Sequence, residues 1–188
     1  MTTYIPHITL PNSVFENPAA SILLPIALGT AVGFSTRPSD TQATYLALRQ
    51  PPLRPPPWVF GPVWTALYGL MGYASHRAVS AGLSPMASPA TVATTKHGAT
   101  LYTLQLGLNL AWMPLFFGIR RPIEATIDII ALIGVNGYLT YVWSGVDEVS
   151  AWCFAPYLAW LGFATYLSAG VGYLNNWTMK GGDAKKTE

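Results

Sequence analysis

PPPWVFGPVWTALYGLMGYASH, residues 55–76, is a run of 22 positions without Asp, Glu, Lys or Arg between Arg54 and Arg77. A helix of about 20 mainly apolar residues crosses about 30 Å of hydrocarbon, so this run is long enough to span a membrane. Charged residues make up 10% of the 188 positions, whereas roughly one quarter is usual in soluble domains. The composition therefore indicates a membrane protein.

Four more stretches are also long enough to span a membrane and contain few charged residues: 17–36, 97–119, 125–146 and 149–175. We therefore expect an all-α integral membrane bundle of five transmembrane helices in one domain, 17–179, after an N-terminal extension (1–16) and before a basic tail (180–188). A soluble bundle with five buried helices is the less favoured alternative. Asp128 is the one charge inside a predicted span, and we expect it to snorkel to water or to pair with Arg120 or Arg121.

The basic residues fall unevenly on the two sides of the predicted bundle. Eight of the ten lie in the 37–54 loop, the 120–121 turn and the tail, which five spans place on the same side. Basic loops stay in the cytosol, so the C-terminus is expected to face the cytosol. A net charge of +2 is too weak a field to indicate nucleic-acid binding.

The tryptophans divide into two groups by their position along the spans. Near the span ends, where indole suits the lipid headgroups, lie Trp58, Trp143, Trp152 and Trp177. The other group lies deeper: at about 1.5 Å of rise per residue, Trp64, Trp112 and Trp160 fall about 12–15 Å from the predicted cytosolic edge. Asn109 and Asn136 fall at about 16–18 Å by the same count. These five residues are either interhelical packing contacts or, taken together, the lining of a pocket for a flat apolar ligand.

The remaining patterns narrow the chemistry. Five prolines between positions 51 and 57 make the loop before the second span stiff, so it can act as a lid or a rigid connector. Three dispersed histidines and one cysteine match no metal-ligand spacing, and neither a catalytic Ser/His/Asp group nor a phosphate loop is recognisable. We therefore expect no metal, no cofactor and no conventional catalytic residues. Small residues suit close helix contact, and a homodimer can form through Gly107 and Ala111 or through Gly29 and Gly33, although packing within the bundle explains them equally well.

Three runs resemble the translocator protein family, TspO/MBR, also called the peripheral benzodiazepine receptor: PPPWVFGPVWTALY (55–68), LNLAWMPLFFG (108–118) and PYLAWLGFATYL (156–167). The resemblance covers about residues 23–175 and points to a fungal or other eukaryotic member. It implies a five-helix bundle that binds porphyrins, sterols and benzodiazepine-type or isoquinoline-type ligands. By motif position, Tyr45, Trp64, Asn109 and Trp160 match ligand-pocket residues, and the depth count adds Trp112.

The resemblance also implies a location and a range of functions. Animal and fungal members reside in the mitochondrial outer membrane. The leading hypothesis is binding, and transport, of tetrapyrroles such as protoporphyrin or haem, and also of sterols. The alternatives are a light- and oxygen-dependent porphyrin-degrading enzyme and a scaffold in a membrane complex. Two departures matter: Leu53 replaces the usual Trp of the loop, and Ala169 and Tyr173 replace the Tyr and Arg of the animal cholesterol segment, which does not favour cholesterol transport of the animal type.

Overall fold

The computed structural model describes residues 9–36 and 38–179, and within these ranges every regular element is helical. Seven α-helices follow one another: α1 (Asn12–Glu16), α2 (Pro18–Ser35), α3 (Pro38–Ala47), α4 (Phe60–Gly82), α5 (Pro89–Met113), α6 (Pro122–Ser144) and α7 (Glu148–Leu174). A 3₁₀ turn, Pro57–Val59, leads into α4, and a π-helical turn, Pro114–Gly118, follows α5. The predicted basic tail and residues 1–8 of the predicted N-terminal extension lie outside the described residues.

Proline sets the start of several helices, because a first-turn residue needs no backbone N–H and its fixed φ is already helical. At the start of α2, Asn17 precedes Pro18, and its Oδ1 accepts two first-turn N–H groups at 2.9 and 3.2 Å. At the start of α5, Ser88 precedes Pro89, and its Oγ accepts a first-turn N–H at 3.1 Å. Helix α6 also begins with a proline. The sequence thus fixes these boundaries locally.

The five long helices, α2 and α4 to α7, correspond to the five charge-poor stretches. Two of them, Pro18–Ser35 and Pro122–Ser144, are apolar enough over 18 residues to count as membrane spans by hydropathy alone, at mean hydropathies of 1.6 and 1.4. The predicted all-α bundle is confirmed. That all five helices cross the bilayer stays a prediction from the charge pattern.

Helix α4 lies at the centre of the bundle and packs against α2, α5 and α7, while α6 packs between α5 and α7. The core between them is fully buried and rich in aromatic side chains, with members such as Met71, Tyr102, Leu139 and Tyr157. Gly72 lets α2 and α4 approach closely, since a Cβ there would overlap the backbone of Ser21. The two ends of the bundle are called the cap end, which carries α1, and the loop end, which carries the proline-rich loop.

The interfacial position predicted for Trp143 is wrong. Its side chain is 0% exposed, and its ring stacks on Tyr102 at 5.9 Å and packs against Phe154 at 6.0 Å. Gly98 provides the space, because a Cβ at that position would overlap the indole. Counting residues places Trp143 near the end of α6, but the helix turns this side chain toward α5 rather than toward lipid.

The part of the N-terminal extension that is described belongs to the bundle. Phe15 is 1% exposed and packs against Tyr102 at 5.8 Å between ring centroids. His76 Nδ1 donates to the carbonyl oxygen of Phe15 at 2.7 Å, and Ser21 Oγ donates to the carbonyl oxygen of Val14 at 2.6 Å. Helix α1 therefore closes the cap end as part of the core.

Candidate functional site

Aromatic side chains from α3, α4 and α7 meet at the loop end. Tyr45 packs edge-on against Phe60 (5.7 Å between centroids), Phe60 against Trp160 (6.0 Å), and Trp160 against Trp64 (6.5 Å). Trp64 in turn contacts two tyrosines, at 5.5 and 6.2 Å. We call this group the aromatic cluster; its members are Tyr45, Phe60, Trp64, Tyr68, Tyr157 and Trp160. Edge-to-face contact is the arrangement that the ring quadrupole favours.

A hydrogen-bond chain closes the inner side of the aromatic cluster. The Tyr68 hydroxyl donates to Oδ1 of Asn109 at 2.6 Å, and Nδ2 of Asn109 donates to the Tyr157 hydroxyl at 2.7 Å. All three side chains are buried, and they come from α4, α5 and α7. A satisfied buried chain of this kind fixes its members, because each unpaired polar group would cost about 1–3 kcal/mol.

Tyr68 reaches Asn109 because α2 carries a glycine beside it. A Cβ on Gly29 would overlap the Tyr68 ring, whereas no described atom lies within 4 Å of a Cβ built on Gly33 or on Gly107. Gly29 therefore serves packing within the bundle. Of the glycines considered for a homodimer, Gly33 and Gly107 have free space at the Cβ position and so can still contact a second copy.

The proline-rich loop, residues 48–56, is docked onto α7. Asn175 bonds the backbone of Arg49 twice, accepting from its N–H at 3.1 Å and donating to its carbonyl at 2.9 Å. The Tyr166 hydroxyl donates to the carbonyl of Pro52 at 3.0 Å, and Pro51 fills the space above Gly170. These contacts hold the loop in one position at the loop end.

Tyr45 joins that loop to the aromatic cluster. Its hydroxyl donates to the carbonyl of Pro55 at 3.0 Å, and its backbone carbonyl accepts from Gln50 Nε2 at 2.7 Å. Burial raises the pKa of the Tyr45 hydroxyl, and the positive charge of Arg54 lowers it by a smaller amount, so the phenol stays protonated and able to donate. Leu53, which departs from the Trp usual at this position in the resembling family, is 85% exposed with φ 64° and belongs to neither apolar group of the core.

Trp112 and Asn136 lie apart from the aromatic cluster. Trp112 stacks on Phe116 at 5.1 Å and packs edge-on against Phe117 at 5.9 Å, in a second apolar group with Leu48 and Val171. Asn136 is buried and donates to the carbonyl of Leu132 on its own helix. Of the five predicted site residues, the structure thus brings Tyr45, Trp64, Asn109 and Trp160 together and places Trp112 in a neighbouring group.

Asp128 does not make the predicted surface contacts. It is 8% exposed, and its Oδ2 is buried without a hydrogen-bond partner among the described residues. Arg121 pairs with Glu124 instead, at 2.7 Å. The expectation that Asp128 snorkels to water or pairs with Arg120 or Arg121 is therefore wrong for the described residues, because the face of α6 that carries it turns into the bundle.

The polar groups of the aromatic cluster are phenols and indoles, and the adjoining Asn109 adds one carboxamide. Within the described ranges no group of three His, Cys, Asp or Glu residues could hold a metal ion. The aromatic cluster with Asn109 can stack on a ligand and hydrogen-bond to it. Sequence reasoning missed Phe60, Tyr68 and Tyr157. The helical period contained the signal, because Phe60 and Tyr68 lie four residues from Trp64, and Tyr157 lies three from Trp160.

Comparison with known proteins agrees with this architecture. Residues 21–174 match the sequence profile of the TspO/MBR family. The chain is 39% identical over 164 residues to the translocator protein homolog of Schizosaccharomyces pombe, covering 87% of this chain and 94% of the relative. It is 38% identical over 151 residues to the translocator protein of Homo sapiens (80% and 86% covered) and 37% identical over 156 residues to the tryptophan-rich protein TspO of Archaeoglobus fulgidus (83% and 95% covered). This chain belongs to the TspO/MBR family of integral membrane proteins.

Proposed function

We propose that the protein binds a flat, largely apolar ligand of the tetrapyrrole class at the aromatic cluster and carries it within the membrane. The observation that supports this most is the contact of Trp64 with Trp160 beside the Asn109 hydrogen-bond chain, under a docked loop. Ring faces and edges from two helices offer stacking surfaces for a macrocycle. The hydrogen-bond chain through Asn109 offers polar atoms to the heteroatoms of that macrocycle. Sterols are proposed as a second ligand class.

The ligand would enter by separating rings that now touch. The centroid distances of 5.5–6.5 Å around Trp64 correspond to direct ring contact, so a macrocycle has to replace ring–ring contacts with ring–ligand contacts. The Nε1 of Trp160 is buried without a hydrogen-bond partner among the described residues and is ready to donate to a ligand acceptor. Movement of the docked loop would open this path, since Tyr45 connects the loop to the cluster.

The test is a titration of purified protein with protoporphyrin, followed by the porphyrin Soret absorbance. Trp64→Ala combined with Trp160→Ala is expected to weaken binding about tenfold or more, since each lost aromatic contact contributes about 0.5–1.5 kcal/mol. Trp112→Ala is the matched control: it removes an indole of similar predicted depth that packs in the neighbouring group. Its affinity is expected to remain close to that of the wild type.

Two results would contradict the proposal. One is an unchanged affinity in the double variant when circular dichroism shows it to be folded. The other is an equal loss in Trp112→Ala, which would place the ligand outside the aromatic cluster. The same titration with a sterol and with an isoquinoline ligand defines the range of ligands.

We further propose that the protein resides in the mitochondrial outer membrane with its C-terminus in the cytosol. The location is what the resemblance to animal and fungal family members implies, and the orientation rests on the eight basic residues that the five-span arrangement gathers on the side of the tail. Protease added to intact mitochondria should remove a C-terminal epitope tag. Protection of that tag until the outer membrane is ruptured would refute this orientation.

A further inference from the structure

A cleft lies at the cap end, away from the aromatic cluster. The cleft, of about 170 Å³, opens between α1, the end of α4 and the first turns of α5. Its floor is apolar and includes Phe15, Val79 and Ala99, all of them buried. Its lining also carries Asn12 and Lys96, so one pocket combines hydrocarbon, an amide and an ammonium group.

The polar lining provides both hydrogen-bond donors and an acceptor. Lys96 and the amide of Asn12 carry N–H groups, which suit an anion. The amide oxygen of Asn12 is the acceptor toward a ligand hydroxyl, since Thr95 is fully buried and its hydroxyl donates to the carbonyl of Thr91 at 2.8 Å. An anion joined to a hydroxyl-bearing group matches this set.

One basic side chain at the cap end lines the cleft without an acidic partner in contact. Arg77 and Lys96 are the two basic residues predicted on this side of the membrane. Arg77 is already neutralised, because its Nε and one terminal nitrogen donate to the two carboxylate oxygens of Asp147 at 2.7 and 3.1 Å. Among the side chains that the structure describes, Lys96 has no acidic partner within 4 Å, and Glu16 of α1 does not line the cleft. Lys96 is thus a positive charge of the cleft lining that a ligand can neutralise.

The size and position of the cleft favour a lipid headgroup over a tetrapyrrole. Pockets for drug-sized molecules enclose about 300–1,000 Å³, so a cleft of about 170 Å³ is too small for a tetrapyrrole and large enough for a phosphate with its glycerol. It also lies at the end of the predicted spans, at the level of the lipid headgroups. We propose that this cleft binds the phosphate headgroup of an anionic membrane lipid, with the acyl chains continuing along the outside of the bundle.

The test uses the detergent-solubilised full chain, native mass spectrometry and short-chain dihexanoyl phosphatidate. One phosphatidate per chain is expected, with dihexanoyl phosphatidylcholine and inorganic phosphate each binding more weakly. Lys96→Gln is expected to lower the phosphatidate affinity by about tenfold, as for the loss of one charge-assisted hydrogen bond. Ala99→Val, which extends an apolar group into the cleft, is expected to lower it as well. Protoporphyrin binding should not change in either variant, which separates this site from the aromatic cluster.

A matched control removes one positive charge elsewhere, in the tail, by Lys180→Gln. An equal loss of phosphatidate binding in Lys180→Gln and Lys96→Gln would overturn the proposal, because it would indicate general surface attraction. Equal affinity for inorganic phosphate and for phosphatidate would overturn the assignment to a lipid. Unchanged phosphatidate binding in both cleft variants would overturn the site itself.

Discussion

Tyr68 is held in place from two sides, by a glycine on α2 and by a carboxamide on α5. The absence of a Cβ at Gly29 lets the ring lie against α2, and the hydroxyl then reaches Asn109 at 2.6 Å. Gly29→Ala is expected to push the ring aside, break this hydrogen bond and lower the free energy of unfolding by about 1–3 kcal/mol. Protoporphyrin affinity should fall too, and both effects can be measured by thermal unfolding and by Soret titration.

Gly33→Ala is the matched control on the same helix, one turn further along. No described atom lies within 4 Å of a Cβ at that position, so the substitution is expected to be neutral or to stabilise α2 by up to about 1 kcal/mol through helix propensity. If Gly29→Ala and Gly33→Ala behaved alike in both measurements, Gly29 would have no role in positioning Tyr68.

At the scale of elements, one ion pair ties α4 to the turn between α6 and α7. Two hydrogen bonds from Arg77 hold the pKa of the Asp147 carboxyl below its usual value, more than burial raises it. Because this pKa is lower in the folded than in the unfolded state, ionised Asp147 stabilises the fold above the unfolded pKa of about 3.9. That contribution is lost as the pH falls through the folded pKa.

The expected result is a melting temperature that decreases between about pH 5 and pH 3 in the wild type and decreases less in Asp147→Asn, which cannot ionise. Glu124→Gln is the control, because Glu124 pairs with Arg121 on the surface, where both side chains are largely exposed. Such pairs contribute about 0–1 kcal/mol, so its pH profile should follow the wild type. If the melting temperature of Asp147→Asn depended on pH as in the wild type, the Arg77–Asp147 pair would not contribute to the stability of the contact between α4 and the α6–α7 turn.

At the scale of the whole molecule, the exposed Gly107 on α5 predicts the interface between two copies of the chain. Gly29 is covered by Tyr68, whereas Gly107 is exposed with free space around its Cβ position and lies one turn from Ala111. We expect a homodimer through this face of α5, since small residues allow close helix approach in lipid. Gly107→Ile should shift the molecular mass measured by light scattering toward the monomer, and Gly33→Ile should not. A dimer that persists in Gly107→Ile would exclude this interface.

Much of the fold could be predicted from the charge pattern, because burying a charge in hydrocarbon is costly and so charges flank the predicted spans, although α4 and α5 extend beyond Arg77 and Lys96. The same reasoning places a side chain along the helix axis but not around it. Depth along the axis therefore groups Trp64, Asn109, Trp112 and Trp160, whereas in the structure Trp112 packs in another group. The direction around the axis depends on which neighbour leaves space, as Gly98 does for Trp143. Those tertiary contacts join distant parts of the chain and have no local signature.

The buried α1 segment has a consequence for biogenesis. Leu10 donates its N–H to Thr103 at 3.0 Å, and Phe15 packs on Tyr102, although more than 85 residues of chain separate the partners. The ribosome therefore releases α1 long before α5 exists to receive it. During that interval Phe15 lacks its partner ring, and for the first part of it His76 has not yet been synthesised to hold the Phe15 carbonyl. Helix α1 can pack against α2 and α4 as these form, but its contacts with α5 are completed only after the chain has been made beyond Thr103.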